Sequence, residues 1–216
     1  MQEEFWHQRW QEGKIGFHLN ETNPNLTEWF ESLALEPGSR IFVPLCGKSL
    51  DMLWLAGQGM EVVGVEINEL AVRGFFEENG LDPVIENRHD HDCWQAGNLT
   101  LIHADFFDIE QSDLGRIDAV YDRASLIALP PGLRLSYAEK MRQLLPAPVP
   151  VLLITLVYPQ EQMQGPPFSV PQQEVESLYG EHYAISRLAS IDILINEPGF
   201  RKKGLDELTE NVYLMR

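Results

Sequence analysis

The chain reads as an α/β protein: a doubly wound, mostly parallel, seven-stranded sheet with an N-terminal helical cover over residues 1–36. Three observations predict it. Residues 40–68, RIFVPLCGKSLDMLWLAGQGMEVVGVEIN, run as apolar strand, tight turn, amphipathic helix, glycine stop and second apolar strand, which is one βαβ unit. Apolar stretches of strand length then keep alternating with amphipathic ones. Val151 to Tyr158, VLLITLVY, is almost wholly apolar, as expected of a strand covered on both faces. A chain of 216 residues has room for one such domain, 1–216, and little beyond it.

The elements follow in order. Residues 2–12 read as a helix with Trp6 and Trp10 on one face. Gly13 and Gly16 loosen the chain before Phe17 and His18. Pro24 to Leu33 reads as a second helix, with Asn23 as its N-cap and Pro24 as its first residue. Pro37-Gly38 turns the chain into the strand Arg40 to Val43, and the βαβ unit ends at Glu66. Glu69 to Asn79 forms a helix stopped by Gly80. Strands follow at Leu99 to His103 and Ile117 to Tyr121. Arg134 to Leu145 is an amphipathic helix ended by Pro146 and Pro148. Beyond the strand at Val151, a proline-rich loop, Gly165 to Pro171, leads to a short helix, Gln172 to Tyr179. Ser190 to Asn196 and Asn211 to Met215 are the last strands, joined by a polar loop that suits antiparallel pairing.

Composition excludes some partners. With 16 basic against 33 acidic side chains the net charge is −17, a field that repels nucleic acid and anionic membrane surfaces. Cys46 and Cys93 are far apart and form no C-x-x-C, which fits a reducing compartment. The opening MQEEFWHQRWQEGK has neither the basic nor the apolar region of a secretion signal. No apolar run approaches the roughly 20 residues that span a bilayer. The expectation is a cytoplasmic protein, and with no apolar stripe left over, a monomer.

The turn of the βαβ unit selects among cofactors. Glu66 stands 19 residues after Gly47, at the tip of the second strand, where a carboxylate can accept from both hydroxyls of a ribose. A dinucleotide needs G-x-G-x-x-G, and this turn has the single Gly47. A P-loop needs a glycine five residues before Gly47, where Phe42 stands. S-adenosylmethionine, with a ribose and no phosphate, remains; the competing reading is a βαβ unit without a ligand.

Ligands on such sheets sit outside the carboxyl ends of the strands. That rule gathers Leu45, Glu66, Asp105, Phe106, Asp122 and Arg123. Asp105 can accept from an adenine amino group while Phe106 packs on the base, although Ala-Asp-Phe-Phe-Asp reads equally as a strand end followed by core aromatics. Arg123 can hold a cofactor carboxylate or an anionic substrate by paired hydrogen bonds, or simply an ion pair with Asp122. Trp10 and Phe17 can lid the site against water or serve as packing. His89-Asp90-His91-Asp92-Cys93 has metal-like spacing along a strand but no second ligand cluster, so no metal is expected. Cys46 has no histidine placed to activate it and reads as a small buried filler.

The residues also resemble a family. Trp6 to His18 has the form W-x-x-R-W-x-x-G-K-x-x-F-H. Pro44-Leu45-Cys46-Gly47-Lys48-Ser49, Val63-Gly64-Val65-Glu66-Ile67, Tyr121-Asp122-Arg123-Ala124, Gly165-Pro166-Pro167-Phe168 and Val212-Tyr213-Leu214 complete the pattern. Across essentially its whole length the chain resembles the bacterial members of the thiopurine S-methyltransferase family. The resemblance implies a class I S-adenosylmethionine-dependent methyltransferase, Rossmann-like in fold. Trp10, Leu45, Glu66 and Arg123 match positions that bind the methyl donor, and Asp105 with Phe106 match its adenine side. Phe17 and Arg123 match positions at the acceptor. A second substrate arginine of animal members aligns with Gly199, two residues from Arg201. The implied reaction is methyl transfer to the sulfur of aromatic or heterocyclic thiols such as thiopurines, releasing S-adenosylhomocysteine. Such thiols ionise readily, and no general base is assigned. The same chemistry on selenium or tellurium compounds is an alternative. A non-catalytic S-adenosylmethionine-binding sensor or partner protein is an alternative of another class.

Overall fold

The computed structural model describes residues 3–14, 16, 18–145 and 147–216; the expectations resting on Phe17 and Pro146 lie outside the described residues. The chain divides into two compact units, 1–121 and 122–216, and the boundary falls inside one strand.

The first unit runs α1 (Glu3–Gln11), α2 (Pro24–Trp29), β1 (Arg40–Val43), α3 (Asp51–Gly57), β2 (Glu61–Glu66), α4 (Glu69–Glu78), β3 (Val84–Arg88), β4 (His91–Ala96), β5 (Leu99–His103), α5 (Gln111–Leu114) and the start of β6 (Ala119–Arg123). Its strands lie in the order β3-β4-β5-β2-β1-β6. The four from β5 to β6 are parallel, with Phe42 opposite both Val63 and Val120. Ile41, Phe42, Val63, Val65 and Val120 are fully buried, so the central strands have no solvent face to mark with polar residues. As expected, Asn23 caps α2: its Oδ1 accepts from the Asn25 N–H (2.8 Å). The last turn, Phe30–Leu33, tightens to a 3-10 helix. Helix α4 buries Ala71, Val72, Phe75 and Phe76 on one stripe.

Nine strands are present among the described residues, where the sequence suggested seven. The additional pair is the β3–β4 hairpin, antiparallel within itself and to β5. Every residue of β3 is exposed, and an edge strand of that kind carries no apolar alternation. Its turn places His89 and Asp90 at φ +50 and +68, a conformation usually marked by Asn-Gly. Strand β6 starts at Ala119 rather than Ile117 and continues to Arg123, so Asp122 and Arg123 end the strand instead of following it.

The second unit continues with α6 (Pro131–Leu144), β7 (Val151–Val157), α7 (Gln172–Tyr179), β8 (Ile185–Asp192), α8 (Pro198–Lys202) and β9 (Thr209–Met215). Strand β9 lies between β7 and β8 and is antiparallel to both, as the last-strand pattern suggested. Strand β8 begins five residues before the expected Ser190, and Leu194–Asn196 curls into a 3-10 turn ahead of α8. Most of β8 is exposed or half-buried, which explains its weak apolar signal. No helix among the described residues is long and apolar enough to cross a membrane.

Candidate active site

At the carboxyl end of its parallel strands the first unit is built around one turn. After β1 the chain enters the left-handed region at Leu45 (φ +45) and again at Gly47 (φ +54). For a γ-branched residue such as Leu45 that conformation costs about 1–2 kcal/mol, a strain characteristic of ligand-binding turns. The reversal is held by the Cys46 N–H donating to the Val65 carbonyl (2.9 Å) and the Ser49 N–H to the Cys46 carbonyl (3.2 Å). Gly64 is needed beneath it, because a Cβ there would stand 2.6 Å from Cys46 Sγ. The Cys46 thiol is pushed well up by burial and by the Glu66 charge, so it stays protonated and fills space, as its sequence context suggested.

Glu66 ends β2 and is 6% exposed. The Gly47 N–H donates to its Oε2 (2.9 Å) and the Asn68 N–H to its Oε1 (2.9 Å). Burial pushes this carboxyl up to about 7, opposed by the amide donors of Asn68, Gly47 and Ile67 and by His7. The Gly47 and Asn68 amides bond one to each oxygen, with the Ile67 amide facing the same group, and a carboxylate with about four acceptor sites keeps capacity beyond them. Such a group can accept from a further donor such as a hydroxyl.

Helix α1 lies on this turn. His7 Nδ1 meets Asn68 Nδ2 (2.6 Å), and the Trp10 indole sits 3.4 Å from where a Cβ on Gly47 would project. The sequence missed His7 and Asn68, although an asparagine just before a helix is a readable N-cap: its Oδ1 accepts from the Leu70 N–H (2.9 Å). Asp105 follows β5 directly after Ala104, whose N–H donates to the Glu66 carbonyl (3.1 Å). Asp105 Oδ1 caps its own loop by accepting from the Phe107 N–H (2.9 Å). Phe106 turns the other way. It is fully buried and stacked on Phe42 (6.4 Å between centroids, 8° between planes), the core placement that the sequence left open. Phe107, packed edge-on to it, is the half-buried member of the pair.

Trp10, Leu45, Glu66 and Asp105 are thus brought to one end of the first unit. A concavity of about 390 Å³ between Glu36–Arg40, Glu61, Arg116 and Asp118 lies at the opposite end of β1 and is lined by ion pairs. Asp51, the first residue of α3, is buried and accepts from the Asn23 N–H (2.7 Å) and from Tyr121 Oη (2.9 Å), tying the N-terminal segment to the sheet. The His89–Cys93 run splits across the hairpin turn. His89 Nδ1 pairs with Asp113 Oδ1 (2.8 Å), and no group of three ligands able to hold a metal forms among the described residues.

Arg123 lies in the second unit, at the end of β6. It is half-buried, and among the described residues no hydrogen bond or ion pair engages its guanidinium. The suspected ion pair with Asp122 is not formed. Asp122 is 2% exposed and instead accepts from Tyr137 Oη (2.7 Å) and the Leu126 N–H (3.4 Å). Arg201 lies exposed in α8, with no role assigned by its surroundings.

A parallel β5-β2-β1-β6 core with an acid ending its second strand is a Rossmann-like arrangement, the one found in class I S-adenosylmethionine-dependent methyltransferases. A methyltransferase of this kind from Anabaena variabilis superposes with TM-score 0.65 at 12% identity, over 99% of this chain and 94% of that one. The 1,6-didemethyltoxoflavin-N1-methyltransferase of Burkholderia thailandensis, solved with bound S-adenosylhomocysteine, gives 0.64 at 13% identity, over 99% and 86%. The thiopurine S-methyltransferase family model matches residues 1–216, and the chain belongs to that family. A thiopurine S-methyltransferase of Nitrosospira multiformis is 46% identical over 215 residues, covering 100% of this chain and 98% of that protein.

Proposed function

We infer that this enzyme transfers a methyl group from S-adenosylmethionine to the sulfur of aromatic and heterocyclic thiols of the thiopurine type, releasing S-adenosylhomocysteine. The full-length match to the thiopurine S-methyltransferase family carries the reading. When bound, the donor supplies a methyl group on a positively charged sulfur, open to in-line attack by a thiolate.

This chain's own residues fit that donor. Glu66 takes the ribose hydroxyls with the acceptor capacity its backbone amides leave free. The strained turn at Leu45 lies against the methionine portion, and Trp10, packed on Gly47, closes over it. Asp105 faces the adenine amino group, with Phe106 packed beneath its loop. Arg123 holds a carboxylate of the donor and places positive charge near the acceptor sulfur, favouring its thiolate. Because the acceptor ionises readily, no side chain need act as a strong base; holding both reactants in line supplies much of the rate. Phe17, carried over from the family pattern, is assigned to the acceptor side.

The finer context belongs to the same proposal: a cytoplasmic monomer acting on small molecules, not nucleic acid. Two free cysteines and a net charge of −17 support it. The test is a panel of acceptors, 6-mercaptopurine beside selenium and tellurium compounds, with S-adenosylhomocysteine formation as the readout. Turnover with the thiol is expected. Turnover with the selenium or tellurium compounds alone would move the substrate, and donor binding without any turnover would favour a sensor.

A further inference from the structure

The segment after β6 is well anchored, although its half-buried cation, Arg123, has no hydrogen-bond or ion-pair partner among the described residues. Ala124 sits in the left-handed region at φ +65, so the chain reverses immediately after Arg123. Four ties hold the reversal. Tyr137 Oη and the Leu126 N–H both donate to Asp122, the Phe168 N–H donates to the Ile127 carbonyl (2.7 Å), and Arg134 Nε donates to the Leu129 carbonyl (3.0 Å). The Ser125 hydroxyl adds a further bond to Asp122. Consecutive strand residues point to opposite faces, so Asp122 cannot follow Arg123 to a ligand. Its carboxylate is 2% exposed and already engaged by three donors, which also removes it as a base.

We propose that Asp122 is a positioning residue for Arg123: its buried carboxylate gathers Tyr137, Ser125 and the Leu126 amide, fixes the reversal at Ala124, and thereby sets the direction in which the guanidinium leaves the strand. The inference rests on the reading that Arg123 holds an anionic group of the donor. A guanidinium with no partner among the described residues takes its aim from its backbone, and misplacement by about 1 Å can cost on the order of 10²-fold. Tyr137 is fully buried and closes the arrangement from α6.

A double-mutant cycle tests this in the full-length protein, with the dissociation constant of S-adenosylhomocysteine and kcat/KM for 6-mercaptopurine as readouts. Asp122→Ala should weaken both by roughly 10- to 100-fold in the wild-type background. It should change them less than about 2-fold when Arg123 is already alanine, because the effect runs through that side chain. Asp122→Asn, which keeps an acceptor for the Leu126 N–H, should recover most of the loss. If Asp122→Ala fails to fold, Tyr137→Phe with and without Arg123→Ala repeats the cycle with a smaller lesion. Equal losses in both backgrounds would reduce Asp122 to general stability and overturn the proposal. A wild type that binds S-adenosylhomocysteine but does not methylate the thiol would overturn the substrate reading, leaving the binding cycle to decide on Asp122. A wild type that binds no S-adenosylhomocysteine would overturn both.

Discussion

Replacing Glu66 by glutamine isolates what its charge does. The folded carboxyl holds its proton to higher pH than the unfolded one, moving from 4.5 to about 7 through burial. Between those values the native state therefore binds more protons than the unfolded chain. Stability falls as pH rises across that window and is level above it, a cost of about 3 kcal/mol to the ligand-free fold. The groups facing the carboxyl are His7, Cys46 and the amides of Gly47, Ile67 and Asn68. Two ribose hydroxyls donating into the ionised form would offset part of that cost. A hydrogen bond to a charged acceptor is worth about 1.5–3 kcal/mol, so ionisation should tighten binding roughly 10- to 150-fold. Calorimetric titration with S-adenosylhomocysteine from about pH 5.5 to 8.5 should show affinity rising with pH and bending near 7. Glu66→Gln should give a flat profile close to the wild-type value at the acid end. The same slope in both proteins would refute the assignment of Glu66 to the ribose.

Other predictions follow from single contacts. Arg123→Ala should lower kcat/KM by roughly 10- to 150-fold. With no partner to lose among the described residues, it should leave the unfolding free energy within about 0.5 kcal/mol in urea titration. Gly64→Ala drives a Cβ to 2.6 Å from Cys46 Sγ and should cost about 1–3 kcal/mol by chemical denaturation, part of which Cys46→Ala restores. Asp51→Ala removes the acceptor of two buried donors, the Asn23 N–H and Tyr121 Oη, and should cost about 2–5 kcal/mol by the same assay. Asp51→Asn keeps one acceptor and should cost less.

The legible parts of this chain are those where burial dictates composition. Strand β1 and helix α7 have the limits their patterns suggested, and β2 ends at the acid that was singled out, because apolar runs there are bounded by turn residues. The β3–β4 hairpin and β8 escaped since exposed edge strands are paired through backbone, which leaves no mark on side-chain type. The place of Glu66 at the tip of β2 was readable from its spacing to Gly47, whereas its raised carboxyl depends on how deeply the turn and α1 cover it. Phe106 shows the converse: adjacent aromatics at a strand end do not reveal which of the two enters the core, and the stacking on Phe42 decides it. Asp122 looked like a salt-bridge partner for its neighbour, but strand alternation sends the two side chains apart and leaves Tyr137 to satisfy the carboxylate.

The most direct test of methyl transfer to sulfur uses S-adenosylmethionine with a deuterated methyl group, 6-mercaptopurine and the purified protein, with products resolved by mass spectrometry. The account predicts a thioether carrying the intact labelled methyl on sulfur, with S-adenosylhomocysteine formed in equal amount. Bound donor with no labelled thioether, or label on a ring nitrogen, would contradict it.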